Sequence, residues 1–218
     1  MIKISDLRKL KKYKHNESYS NYFIRELKKG NLIRVKRGYY AEPKNSIYEI
    51  SSNIIYPSYI SLFSALNYYK ITDQMPNIIQ VICTKQKKEI KFNNYNIKFI
   101  KVKPRWMFGI KRENNVFIAT QEKLILDALK FQNEMGNFDE VIELIKKSEI
   151  KKDKIISYLL LAEEKSLIKR IGYLLEKYKN MDIYQNFADL LRKDKNYAKL
   201  NLFGKNKKIN KKWRLLIE

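Results

Sequence analysis

The 218-residue chain holds one cysteine, one histidine, six glycines and four prolines. A lone Cys83 builds no disulfide framework, and its place in the apolar run IIQVICT reads as a buried, inert thiol. The single His15 sits in a polar stretch, with no Ser or Cys partner for a triad and no second His or Cys for a metal. The glycines are scattered singly, which excludes a Walker loop and a dinucleotide fingerprint. No Gly-Ser with paired aspartates marks a nucleotidyltransferase. No run of about eighteen apolar residues is present, so no membrane span is expected. The start MIKISDLRKL lacks the apolar stretch of a secretory signal. These absences lead us to expect a cytoplasmic protein, not an enzyme, with no catalytic residues, metal or cofactor.

What the chain has in excess is positive charge. Its formal net charge is +23, which favours a polyanionic partner. Lys, Ile, Asn and Tyr are all overused, so lysine alone is a biased witness. Arginine is rarer, and four of the nine arginines (Arg8, Arg25, Arg34, Arg37) lie in the first 45 residues. Residues 1–45 carry 13 basic and 4 acidic groups, residues 46–145 carry 13 and 10, and residues 146–218 carry 20 and 9. The near-neutral middle reads as a folded body between two basic ends. At 44% hydrophobic residues the chain has material for a packed core.

The segment Ser18–Ala41, SYSNYFIRELKKGNLIRVKRGYYA, predicts a helix, a glycine stop and a hairpin. Ser18 or Ser20 caps the helix. Gly30 ends it, with Lys28 and Lys29 in the last turn where the dipole favours cations. At 100° per residue Phe23, Ile24 and Leu27 share the packing face, and Ser18, Asn21, Tyr22, Arg25 and Lys29 lie opposite. Leu32, Val35 and Tyr39 have hairpin spacing around the turn Lys36-Arg37-Gly38. That order describes a recognition helix followed by a β-wing. The expected DNA contacts are Ser18, Asn21, Tyr22, Arg25, Lys28 and Lys29 from the helix. From the wing, Arg34, Lys36 and Arg37 would face phosphate or the minor groove. One helix, Ile4 to about Tyr13, precedes them, so the winged domain is expected either to be trimmed by a helix or to have its core covered by something else.

Glu42–Tyr56 reads as a linker. Pro57 starts an expected helix in YPSYISLFSALNYY. Strands are predicted at Ile78–Thr84, Ile90–Phe92, Ile97–Val102 and Val116–Ala119. Thr120 caps a helix with Leu124, Ile125, Ala128 and Leu129 on its core face. Further helices are expected over Phe138–Lys147, Lys152–Glu163 and Ser166–Tyr178, and irregular strands at Leu200–Phe203 and Trp213–Ile217. Lys123 and Asp127, four apart, can pair. Gly172 inside a helix costs about 1 kcal/mol against Ala, so a close-packed neighbour is expected there. The expected fold class is α+β, with a winged helix-turn-helix over 1–45 and a body over 55–218. The body divides into an α/β part, 55–133, and a helical part, 137–180.

The layout resembles the AbiEi family of antitoxins of type IV toxin–antitoxin systems. The resemblance rests on LKKGNLIRVKRGYYA (Leu27–Ala41), YPSYISLFSALNYYKITDQMPN (Tyr56–Asn77), IATQEKLILDAL (Ile118–Leu129) and LIKRIGYLLE (Leu167–Glu176), in that order. It implies a transcriptional autorepressor that binds inverted repeats in double-stranded DNA of its own promoter, as a dimer or cooperatively. It also implies an antitoxin that counters a nucleotidyltransferase-like toxin without a stable complex. Tyr59, Ser61, Lys123, Lys169 and Arg170, all within these motifs, are the candidates for an antitoxin surface.

Two other functions compete. A nonspecific nucleic-acid-binding protein would use the basic tail. A Mg²⁺-dependent nuclease would use Asp73, Glu89 and Lys91, an acidic-plus-Glu-x-Lys pattern that arises easily in so lysine-rich a chain.

Overall fold

The β-branched run Ile78–Cys83 forms the centre of the largest sheet in the computed structural model, which describes residues 2–3, 19–205 and 207–217. His15 and the expected helix Ile4–Tyr13 lie outside the described residues. The fold is α+β.

The first unit combines β1 (Ile2–Lys3), α1 (Tyr19–Lys28), β2 (Ile33–Lys36) and β3 (Tyr39–Ala41). β2 and β3 form the expected hairpin, with a register shift between Arg34 and Lys36. Gly38, at φ +81°, takes the left-handed conformation that the turn requires. β1 pairs antiparallel with β3, and the sequence reading did not anticipate that third strand. Val35 and Ala41 join the main core cluster, together with Ile50 and Ile54.

The expected linker is instead a helix, α2 (Ile47–Asn53). Ser46 and Glu49 have the Ser-x-x-Glu spacing of a helix start, and the Ser46 hydroxyl accepts from the Glu49 N–H at 3.1 Å. Pro57 does not open a helix either. The Tyr56–Pro57 peptide is cis and leads into a buried strand, β4 (Ser58–Ile60), and α3 (Leu62–Tyr68) follows it.

β5 (Ile78–Cys83) pairs antiparallel with β4 and parallel with β7 (Tyr95–Lys101). β6 (Ile90–Phe92) borders β7, while β4 lies parallel to β9 (Val116–Ala119), which pairs with β8 (Ile110–Glu113). The sheet order is β6-β7-β5-β4-β9-β8. β8 went unpredicted, although Asn114 and Asn115 both take positive φ, as a tight two-residue hairpin turn demands.

A short 3₁₀ turn, Pro104–Trp106, joins β7 to β8. Thr120 caps α4 (Gln121–Lys130), its hydroxyl accepting from the Lys123 N–H. Residues 122–129 of α4 are all buried, because α3, α5 (Phe138–Lys147), α6 (Lys152–Ala162) and α7 (Lys165–Lys179) pack around it. α8 (Ala188–Lys193) leads to a small closing sheet of β10 (Ala198–Lys199), β11 (Lys208–Asn210) and β12 (Leu215–Ile217). Residues 200–203 and 213–214 are turns and bends rather than strand. No helix among the described residues is long and apolar enough to cross a membrane.

Candidate nucleic-acid interface

The backbone of α1 closes through Gly30, at φ +73°, whose N–H donates to the Leu27 carbonyl at 3.1 Å. The Asn31 and Leu32 N–H groups reach back to the Glu26 carbonyl. The Glu26 carboxylate accepts from the Asn31 amide at 2.8 Å, and that bond holds its pKa below the ordinary value. Helix end and hairpin start are thereby tied together.

The packing face of α1 is the expected one at Leu27 and differs from it at Tyr22 and Ile24. Tyr22 and Leu27 pack on Leu32 and Tyr40, while Ile24 is 51% exposed. Tyr22 and Glu26 line a groove of about 540 Å³ that also carries Glu42. Tyr22 thus packs on the hairpin, because Leu32 and Tyr40 offer its ring more apolar contact than water does. Asn21, Arg25, Lys28 and Lys29 are exposed on α1, and Arg34 and Arg37 are exposed on the hairpin. None of these six lines that groove, where Lys44 pairs with Glu42 at 2.8 Å. The Arg25 guanidinium lies 5.5 Å from the Tyr22 ring centroid and reaches Glu26 at 3.3 Å. Lys36 is half-buried, its ammonium 3.9 Å from the centroid of Tyr39. Ser18 lies outside the described residues.

The five candidates for an antitoxin surface are not at the surface. Tyr59, Ser61 and Lys123 are fully buried, Lys169 is 1% exposed and Arg170 is 8% exposed. Tyr59 on β4, and Ser61 just beyond it, face α4, and both hydroxyls donate to Asp127, at 3.4 and 2.7 Å. Lys123 and Asp127 form an ion pair at 2.6 Å with neither side chain exposed. The Trp106 indole N–H completes the carboxylate's shell at 2.7 Å. The Lys123 ammonium also sits 3.8 Å from the Trp106 centroid and 4.6 Å from that of Phe108. Burial pulls Lys123 down to about 8, against the opposing pull of Asp127. Burial, then the Asp127 charge, pushes the Tyr59 phenol well up. In the helical part, Lys169 pairs with Asp194 at 2.8 Å and also donates to the Asn196 carbonyl, and Arg170 donates to the Lys199 carbonyl at 2.7 Å. Both cations are consumed in fixing the closing segment to α7. Trp106, central to the first network, was missed; the signal was a large aromatic directly after the basic Lys103-Pro104-Arg105 run.

Asp73, Glu89 and Lys91 are all exposed, and no group of three His, Cys, Asp or Glu side chains is placed to hold a metal ion among the described residues. Cys83 is buried, its pKa pushed up by desolvation.

No protein-family model and no curated protein matches the chain. Among solved structures the fold is similar to that of the RV2827C protein from Mycobacterium tuberculosis, with a TM-score of 0.62 at 11% identity. The match covers 100% of this chain and 86% of that one, and at this identity the likeness is one of fold alone.

Proposed function

We propose that the protein is a DNA-binding transcriptional autorepressor that also serves as the antitoxin of a type IV toxin–antitoxin system, countering a nucleotidyltransferase-like toxin. The observation that carries the DNA half is the set of exposed basic and amide side chains on the helix–hairpin unit. Asn21, Arg25, Lys28 and Lys29 are exposed together with Arg34 and Arg37, with Glu26, held by Asn31 and Arg25, the acidic side chain beside them. On this reading α1 is the recognition helix of a winged domain, lying in the major groove, and the hairpin is its wing on the backbone. Asn21 and Arg25 have the donor patterns for adenine and guanine edges. Inverted repeats then require two bound copies. The antitoxin half is supported by the four-motif resemblance to the AbiEi family, with the body supplying that activity through a surface other than the five buried residues.

The DNA half is tested by a gel-shift titration on the protein's own upstream region against a scrambled duplex, at two salt concentrations. Preference for the upstream duplex that persists at the higher salt supports a repressor. Equal binding to both, collapsing together with salt, supports a generic polyanion binder, which the net excess of basic residues over 146–218 favours. The antitoxin half is tested by co-expression with the adjacent gene product. Relief of its growth arrest is expected, and no relief refutes it.

A further inference from the structure

Independently of the DNA reading, the body contains a concavity of about 270 Å³ between the end of β7, the 3₁₀ turn and the junction of α4 with α7. Lys101, Lys103, Arg105 and Lys130 line it, against one carboxylate, Glu164. Lys101 and Lys103 are exposed and pair with no carboxylate among the described residues. Among the described residues Arg105 pairs with the exposed Glu163, at 3.0 Å, a contact worth little in water. Lys130 pairs with Glu164, and its ammonium lies 4.4 Å from the Trp106 centroid. Buried Val102 and Trp106 form an apolar floor, with half-buried Phe131 beside them.

The side chains lining this concavity carry four positive charges and one negative. The buried Lys123 ammonium stands over the same Trp106 ring, its charge matched by Asp127 at 2.6 Å. α7 starts here, with Glu164 as its N-cap residue. In a chain with so many lysines, scattered basic residues mean nothing. Four cations converging on one cleft with an aromatic side and an apolar floor are different. That combination offers charge-assisted bonds to a phosphate and a flat contact for a base. The volume of about 270 Å³ lies just under the usual range of ligand-sized sites, room for a phosphate and part of a nucleoside whose remainder stays in solvent.

We propose that this cleft binds the phosphate of a single nucleotide, with Lys101 and Lys103 as its principal contacts, Lys130 exchanging Glu164 for the phosphate, and Phe131 against the base. The ligand is either a free nucleoside monophosphate or the phosphorylated end of a strand.

The test is calorimetric titration of the full-length protein with adenosine and guanosine monophosphates, adenosine, inorganic phosphate, and a tetranucleotide with and without a 5′-phosphate. The variants are Lys101→Ala/Lys103→Ala and, as a charge-matched control, Lys207→Ala/Lys208→Ala on the closing sheet. Both pairs are exposed, so circular dichroism should show both variants folded. A monophosphate should bind saturably and more tightly than adenosine or phosphate. The first variant should weaken it by roughly tenfold, and the control should not. Tighter binding of the 5′-phosphorylated tetranucleotide than of the monophosphate, lost in the same variant, assigns the site to a strand end; the reverse order assigns it to a free nucleotide. No saturable binding, phosphate binding as tightly as the nucleotide, or equal losses in the two variants overturns the proposal. Those outcomes leave the gel shift with upstream DNA untouched.

Discussion

Gly172 and Trp213 meet face to face: a Cβ on Gly172 would fall 2.1 Å from the Trp213 ring. The indole is fully buried and is fixed by its N–H bond to Glu176 at 2.6 Å and by the Tyr184 ring at 5.3 Å. It cannot swing aside. Gly172→Ala should therefore destabilise the protein by about 1–2 kcal/mol, because overpacking outweighs the gain of about 1 kcal/mol in helix propensity. Thermal unfolding measures it. In a Trp213→Leu background the penalty should vanish, and a penalty of the same size there would show that the ring is not its cause.

The Lys123–Asp127 pair predicts unequal costs for its two halves. Asp127→Ala leaves the buried Lys123 ammonium, the Trp106 indole N–H and the Ser61 hydroxyl without their acceptor. It should cost about 3–5 kcal/mol. Lys123→Met keeps two close donors to Asp127 and puts an apolar chain among aromatic rings, so it should cost less. Denaturant titrations that rank the two the other way would contradict this account of the network.

The same pair gives a signed pH dependence. Folding holds Lys123 at about 8, below its ordinary 10.5. Between those values the unfolded chain binds a proton that the folded one does not, so this group makes stability rise with pH across that window. Wild-type stability relative to Lys123→Met should accordingly grow from pH 8 to pH 10. The comparison cancels the opposing effect of buried tyrosines such as Tyr59, whose pKa is raised by folding. A constant difference across the window would mean that Lys123 keeps its proton throughout.

How far the sequence could be read depended on length and period. α4 and α5 were legible because their apolar positions recur over ten residues and a cap stands in front of each. α2 was not, because seven residues with two serines and an asparagine imitate a loop, and the Ser46–Glu49 cap was the only clear sign. β4 has three residues buried on both faces and so shows no alternation. The Lys123–Asp127 spacing was legible and its depth was not, since an i, i+4 ion pair usually lies in water. The same failure turned Lys169 and Arg170 from surface candidates into buried ties. On α1 the helix was legible and its packing face only in part, since Leu27 packs as expected while Tyr22 packs too and Ile24 is exposed.

Lys169 and Asp194 make the acid side of the stability profile predictable. The Lys169 hydrogen bond holds the Asp194 carboxyl below its ordinary 3.8. Its stabilisation is present above that value and is lost as pH falls through the lower folded one. Asp194→Asn should be less stable than wild type at pH 6, with a gap that narrows in acid below about pH 4. A gap that stays constant down to pH 2 would remove Asp194 from the acid response.

On the proposed DNA-binding function, the helix–hairpin unit would divide its contacts by kind. Arg25 projects from α1, and its loss should cost about 1–3 kcal/mol on the upstream DNA and relax sequence preference. Lys36 belongs to the hairpin, held on the Tyr39 ring at 3.9 Å. Lys36→Ala should weaken specific and random duplexes alike and shallow the salt dependence by about one unit of slope. Tyr39→Leu should do the same more mildly, because it removes the surface that orients the ammonium while leaving its charge in place. Equal losses on specific and random DNA for Arg25→Ala would strip α1 of its reading role and leave it a generic phosphate contact. A change of sequence preference with Tyr39→Leu would put the hairpin, rather than α1, on the base edges.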